Sequence, residues 1–437
     1  MLTDTGLDLR SLRLRDFSRL EATGTVYLDY AGSALYPESI VRRDARRLTR
    51  RVLGNPHSES RPSLASTEAL EHARALTLRF FDADPGQYDL VFTANASGAI
   101  RVLAESFPFR IGSRLVLTAD NHNSVNGLRL AAADRGATVH YVPLDRDMRA
   151  SDPQPLLPRT TMPSLFAYPA QSNFSGVRHP LCWVKMAQAQ GYRVLLDAAA
   201  YASSSPLSLA DVPADFVAIS FYKLFGYPTG VGALLVRHDA LSDLRRRYFG
   251  GGTVQFVSVQ NDLFRARPGA TAFEDGTPNF LAMAAVCDGL RWLSHIGVET
   301  IGQHVRTLTA SILHRLTTLG NRVRIYGPID MRERGGVVAF NLLSEERLVE
   351  YERVERVARE RGIAIRGGCF CNPGAAEYAF GFTARRARTC MEGEFSIPRF
   401  RVCMDGAPVG ALRASFGVAT THADLDRLFE LVTELTH

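Results

Sequence analysis

Between Leu90 and Val236 the chain repeats one pattern: a short apolar run, a loop, then a stretch long enough for a helix. The runs are "YDLVFTA", "SRLVLTA", "ATVHYVPL", "SLFAYPA", "YRVLLDAAA", "ADFVAISFY" and "GVGALLVR", and only the last pair is close-set. Strands alternating with helical stretches predict a βαβ sheet, mostly parallel, with helices on both faces. Ligands in such sheets bind at the carboxyl ends of the strands, so the residues just after each run are where chemistry is expected.

The pattern changes near Asn279. A long helical stretch, Leu281 to Leu319, leads into "RVRIYGP", "GGVVAFNLL", a helix near Glu345 to Arg361, and "IAIRGG". With 437 residues and 46% hydrophobic residues there is enough chain for two domains. The expected organisation is an N-terminal segment (1–25) packed with the smaller unit, a large domain (26–289), and a small α/β C-terminal domain (290–437).

Charge supplies the first chemical clue. Lys and Arg number 51; two are lysines, Lys185 and Lys223, which leaves 49 arginines. An arginine cannot lose its proton in a protein, whereas a sheltered lysine can and then attacks a carbonyl. Lys185 falls in "LCWVKMAQAQGY", an amphipathic stretch where a surface role is expected. Lys223 ends "AISFYK", just after an apolar run. The arginine clusters "RRDARRLTRR" and "ARRAR" read as solvated helix faces, and no zinc-finger or RNA-binding signature accompanies them, so no nucleic-acid partner is expected. No run approaches the roughly 18 apolar residues of a membrane span, and the start lacks the apolar core of a secretory signal. A cytoplasmic location follows, with the six cysteines reduced rather than built into a disulfide scaffold.

Four strand ends carry candidate groups. In "VFTANASGAIRVLAESF", Ala96, Ser97 and Gly98 stand at a helix start, where backbone N–H groups and a hydroxyl cradle phosphate; Ser97 is also an ordinary N-cap. His122 follows a second run and by itself has a structural reading. Asp197 ends "YRVLLD", where a carboxylate is costly without a cationic partner, or else caps the next helix. Ser220 and Lys223 follow. Asp and Lys on neighbouring strand ends suit pyridoxal 5'-phosphate: the Asp keeps the ring nitrogen protonated and the Lys forms a Schiff base. Other cofactors fit poorly. Neither lysine follows the glycine of a Walker loop, "YFGGGTV" opens no G-x-G-x-x-G helix, and the chain has no C-x-x-C.

Across "VYLDYAGSALYPES", "GNPHSES", "FTANASGAIRVLAE", "DNHNSVNGLR", "FAYPAQSNFSG", "LLDAAAY", "FYKLFGYPTGVGALLVR", "FGGGTV", "FEDGTPNF", "IRGGCFCNPGA" and "DGAPVGALRASFG", the chain resembles the class V, cysteine-desulfurase-like, fold-type I pyridoxal enzymes. Within them it is most similar to the N-terminal sulfurase domain of molybdenum cofactor sulfurases. The resemblance implies a large domain with a seven-stranded sheet, a homodimer, and roles for individual residues. Lys223 is then the Schiff-base lysine, Asp197 the partner of the pyridine nitrogen, and His122 the ring-stacking proton carrier. Asn173 bonds the ring's phenolic oxygen; Ala96, Ser97 and Ser220 hold the phosphate, with Thr277 reaching in from a second subunit. Arg413, helped by Arg366, clamps the substrate carboxylate. Cys371, directly before Asn372 and Pro373, attacks the substrate sulfur and carries a persulfide. Spacing alone does not separate it from Cys369, because residues two apart in an extended segment face the same way.

The implied reaction converts L-cysteine to alanine. A lyase, epimerase or aminotransferase reaction on the same cofactor, and a non-catalytic sulfur-relay role, are the alternatives. "CFC" with Cys390 and Cys403 also allows zinc, though the spacing fits no standard structural site. Two departures matter. Ala200 stands where general cysteine desulfurases carry Gln, and the sequence ends at His437, without the molybdenum-cofactor-binding domain of the eukaryotic sulfurases, so either a separate sulfur-acceptor protein or a different activity is expected.

Overall fold

The computed structural model describes residues 8–394 and 396–436. The first seven residues of the expected N-terminal segment, and His437, lie outside the described residues. Each predicted apolar run is a strand of one seven-stranded sheet. Its spatial order is Tyr88–Thr93, Gly232–Arg237, Phe216–Ser220, Tyr192–Asp197, Ser164–Pro169, Arg114–Thr118, Thr138–Val142. Gly232–Arg237 runs antiparallel to both of its neighbours, and every other pairing is parallel.

Alternation along each strand feeds two cores. Val194 and Leu196 pack on one face, Leu195 on the other. One face is covered by the helices Arg61–Phe80, Trp183–Ala189 and Met283–Ile296, the other by Ala96–Ser106. Two connections expected to be long enough for helices hold no α-helix. Only a short 3-10 turn, Gln154–Leu156, lies between Val142 and Ser164, and none joins Asp197 to Phe216. Proline explains both: positions 153, 155, 158 and 163 in the first and 206 and 213 in the second cannot donate a helical hydrogen bond.

After Asn279 the long helical stretch is two helices, Met283–Ile296 and Val298–Thr317, broken at Gly297 with φ 86°. A second sheet follows, antiparallel, in the order Val323–Tyr326, Val337–Ser344, Ala411–Ser415, Arg366–Gly368. The expected helix from Glu345 begins only at Tyr351. Glu345 and Glu346 instead turn the chain with positive φ into a short strand, Arg347–Val349. The N-terminal helix Leu9–Asp16 meets both parts of the chain: Asp16 Oδ1 accepts from Ser39 N–H at 3.3 Å in the first, and two contacts reach the second. Arg13 pairs with Asp424 at 2.7 Å, and Asp16 accepts from Trp292 Nε1 at 3.1 Å.

The expectation of reduced cysteines throughout is corrected here. Cys390 and Cys403 form a disulfide. The helices Ala384–Met391 and Ile397–Cys403 fold against each other and bring the two Cα atoms to 5.6 Å, inside the range a disulfide spans. Both sulfurs are therefore unavailable to the zinc arrangement that "CFC" allowed.

Candidate active site

At the carboxyl ends of the parallel strands lies a cavity of about 150 Å³. Ala96, Ser97, His122, Asn173, Asp197, Ser220 and Lys223 all line it, so seven of the expected positions converge although more than 120 residues separate the first from the last.

One end is built by the start of the helix Ala96–Ser106. Asn95 caps it, accepting from Gly98 N–H at 2.9 Å, and Ser220 Oγ accepts from Ala96 N–H at 2.8 Å. Ser97 and Ser124 share a hydroxyl hydrogen bond beside them. Gly232 is required behind this turn, because a Cβ there would collide with the Asn95 backbone. Small side chains, hydroxyls and a helix N-terminus together make an anion site.

Lys223 stands on the one-turn helix Phe221–Phe225, directly after its strand. Burial pulls its ammonium below the ordinary lysine value, and Asp197 opposes that shift. Asp197 is 8% exposed; it accepts from Ala199 N–H at 3.0 Å and, among the described residues, forms no ion pair. A buried carboxylate of this kind calls for a cationic or N–H partner in the cavity. His122 Nδ1 accepts from Ser124 N–H at 3.1 Å, so the neutral ring carries its proton on Nε2. Burial and then Lys223 hold its pKa below the ordinary value.

Cys371 does not line the cavity; it stands beside it, on the loop that follows the small-sheet strand Arg366–Gly368. Its carbonyl accepts from Asn123 N–H at 2.7 Å, next to His122, and its thiol is exposed and free. Cys369 is different: its Sγ donates to Val409 O at 3.3 Å, and burial raises its pKa to about 11. The two do not face the same way, because Phe370 and Cys371 both have φ 55° and the segment is not extended.

Arg413 and Arg366 do not line the cavity. They sit opposite each other on paired strands, and Asp29 joins them. Arg413 Nη2 donates to Asp29 Oδ1 at 2.9 Å and Arg366 Nη2 to Oδ2 at 2.6 Å, while Arg413 Nη1 donates to Asn173 O at 3.1 Å. Thr277 is exposed, bonded to Asn55 at 3.2 Å, and away from this chain's cavity. Sequence reasoning missed Asp29, Gln171 and Ser124. Gln171 lines the cavity and donates to Ala200 O at 2.9 Å; its signal was its place at the end of "SLFAYPA". Asp29 follows no apolar run of the main sheet and left no such signal.

A mostly parallel seven-stranded sheet, a smaller sheet behind it, and Lys, Asp and a helix-start anion site on one edge define a fold-type I pyridoxal phosphate-dependent enzyme. The chain belongs to the class-V aminotransferase family, whose model matches residues 26–428. It is 35% identical over 461 residues to the molybdenum cofactor sulfurase of Danio rerio, covering 98% of this chain and 55% of that protein. With the Homo sapiens sulfurase the identity is 36% over 460 residues, covering 98% and 51%. The chain thus spans about half the length of the curated relatives it matches. Among solved structures, an apo cysteine desulfurase from Thermococcus onnurineus superposes with a TM-score of 0.82 at 23% identity, covering 98% of both chains. A cysteine desulfurase from Escherichia coli gives 0.78 at 23%, covering 99% of this chain and all of that one. The residues present fit pyridoxal phosphate: the helix start offers the anion site, Asp197 lacks a cationic partner, and Lys223 is held toward its neutral form.

Proposed function

We propose that this chain is a cysteine desulfurase: L-cysteine and the Cys371 thiol give alanine and a Cys371 persulfide. The observation that carries it is the docking of the Cys371 loop onto the loop of His122, beside a cavity lined by Lys223 and Asp197. When bound, pyridoxal phosphate withdraws electrons from the substrate bonds that must break. Lys223 would hold the cofactor through Nζ and carry the substrate Cα proton, for which a depressed pKa is suited. Asp197 would hold a proton on the cofactor's ring nitrogen, and His122 Nε2 would donate and accept protons in the cavity. Ala96, Ser97 and Ser220 hold the phosphate. Asn173 orients the ring oxygen, while Arg413, with Arg366, takes the substrate carboxylate by its planar fork. Asp29 aims both guanidinium groups. The Cys371 thiolate attacks substrate Sγ: an S–S bond forms, the Cβ–Sγ bond breaks, and Cβ gains a proton.

The relatives' name supports a molybdenum cofactor as the destination of the sulfur. Among the described residues no helix is long and apolar enough to cross a membrane. The active unit is a homodimer, in which Thr277 serves the neighbour's phosphate.

The test follows alanine, sulfide and protein-bound persulfide together after a short L-cysteine pulse. Persulfide on Cys371 with one alanine released is expected, and Cys371→Ser should abolish both while the cofactor stays bound. Pyruvate and sulfide without persulfide would replace this reading with a lyase.

A further inference from the structure

Every carbonyl of the "CFC" segment is tied down. Cys369 O accepts from Asn372 N–H at 2.9 Å, and Cys371 O from Asn123 N–H at 2.7 Å. Phe370 O accepts from Asn173 Nδ2 at 2.7 Å. Phe370 and Cys371 both lie at φ 55°, the left-handed region that side-chain-bearing residues avoid. Two such residues in succession persist only where their surroundings over-determine them.

The ties meet at Asn372, whose side chain is fully buried, at 0% exposure. Its Nδ2 donates to Asp120 O at 2.7 Å and to Asn173 Oδ1 at 2.9 Å, which uses both amide hydrogens. Its Oδ1 accepts from Ala375 N–H at 3.1 Å and caps the helix Pro373–Phe380. Asp120 is fixed from behind by a bond of 2.8 Å between its Oδ2 and His179 Nε2, both buried. It stands two residues before His122. Gly374 lets this corner close, since a Cβ there would collide with the Ala119 carbonyl. One amide therefore joins the loops of Cys371, His122 and Asn173.

We propose that Asn372 is a positioning residue that clamps the Cys371 loop, so that Sγ is presented from one fixed place rather than swung in on a mobile loop. The proposal rests on the desulfurase reading of Cys371. Its consequence is that a sulfur acceptor must come to the loop, because the loop does not travel to the acceptor.

Asn372→Ser tests this. The hydroxyl still serves as an N-cap but is too short to bridge Asp120 O and Asn173 Oδ1 together. Asn372→Asp is the second variant; it keeps the shape and the cap and loses both donors. Amide hydrogen exchange is read first, on protein without substrate. The Asn123 and Asn372 amides should be protected in the wild type and exchange faster in both variants. Cofactor absorption should match the wild type. Persulfide formation should then lose kcat by on the order of 100-fold with KM for cysteine unchanged. Retained protection in the variants would overturn the clamp. Lost protection with full kcat would overturn its role in the reaction. A wild type that forms no persulfide would sink the desulfurase reading while the exchange result still judges the clamp.

Discussion

Cys369 and Cys371 are two positions apart, and their surroundings give them different chemistry. The Cys369 thiol is spent on the Val409 carbonyl, and burial raises its pKa from an ordinary 9.0 to about 11. A raised value means that the proton stays on as pH rises, until about 11. At pH 8 its thiolate fraction is then about 100-fold below that of an ordinary thiol, at tenfold per pH unit. Iodoacetamide at pH 8 should label Cys371 quickly and Cys369 hardly at all, with Cys369 labelling climbing tenfold per unit above that. Peptide mass spectrometry reads both in one sample, with exposed Cys182 as an internal reference. Equal labelling at pH 8 would contradict the burial argument. The choice of Cys371 was legible only through its family pattern before Asn372 and Pro373; the physical ground is the left-handed pair that turns the two side chains apart.

The two helices Ala384–Met391 and Ile397–Cys403 form a hairpin beside the cysteine loop, packing Phe400 and Met404 against Tyr351, Phe382 and Val409. So small an apolar cluster needs a staple, and the Cys390–Cys403 disulfide, closing 13 positions, supplies it. Cys390→Ala should cost about 3 kcal/mol by loop-closure entropy, read by urea denaturation. Limited proteolysis should then cut between 384 and 403, while cofactor absorption stays unchanged because, among the described residues, none of the hairpin lines the cavity. Cuts elsewhere, with the hairpin intact, would show that packing alone holds it. The sequence reading judged these cysteines by compartment, and the structure brought them together by the antiparallel return of two short helices.

At the scale of the whole molecule, a surface hairpin, Val254–Ser258 with Leu263–Ala266, displays apolar side chains to solvent. Phe256 is 64% exposed and Val259 92%, on the same stretch of chain that leads to Thr277. In the proposed homodimer a second copy of this chain would cover this hairpin, and the same contact would bring Thr277 to the neighbour's proposed phosphate site. Sedimentation should show a dimer. Phe256→Asp with Val259→Asp should shift it to monomer and weaken cofactor binding, since the neighbour's hydroxyl is withdrawn. A double variant that stays dimeric would place the interface elsewhere.

Sequence by itself determined the sheet and its strand ends. Apolar runs separated by helical spacing are a local signal, and the candidate positions Ser97, His122, Asp197, Ser220 and Lys223 stand at or just past the ends of the strands so marked, whereas Asn173 came through the family resemblance. It did not determine what happens between sheets. Asp29 reaches Arg413 across 384 positions, and Asn372 reaches Asp120 across 252. Such bonds leave no periodicity, because each depends on where two separately formed elements come to rest. Tertiary structure decided which guanidinium groups are aimed together, which cysteines stay thiols, and how the Cys371 loop is held. The physical reason is that burial and hydrogen-bond geometry set those properties, and both are fixed only when the small sheet packs against the large one.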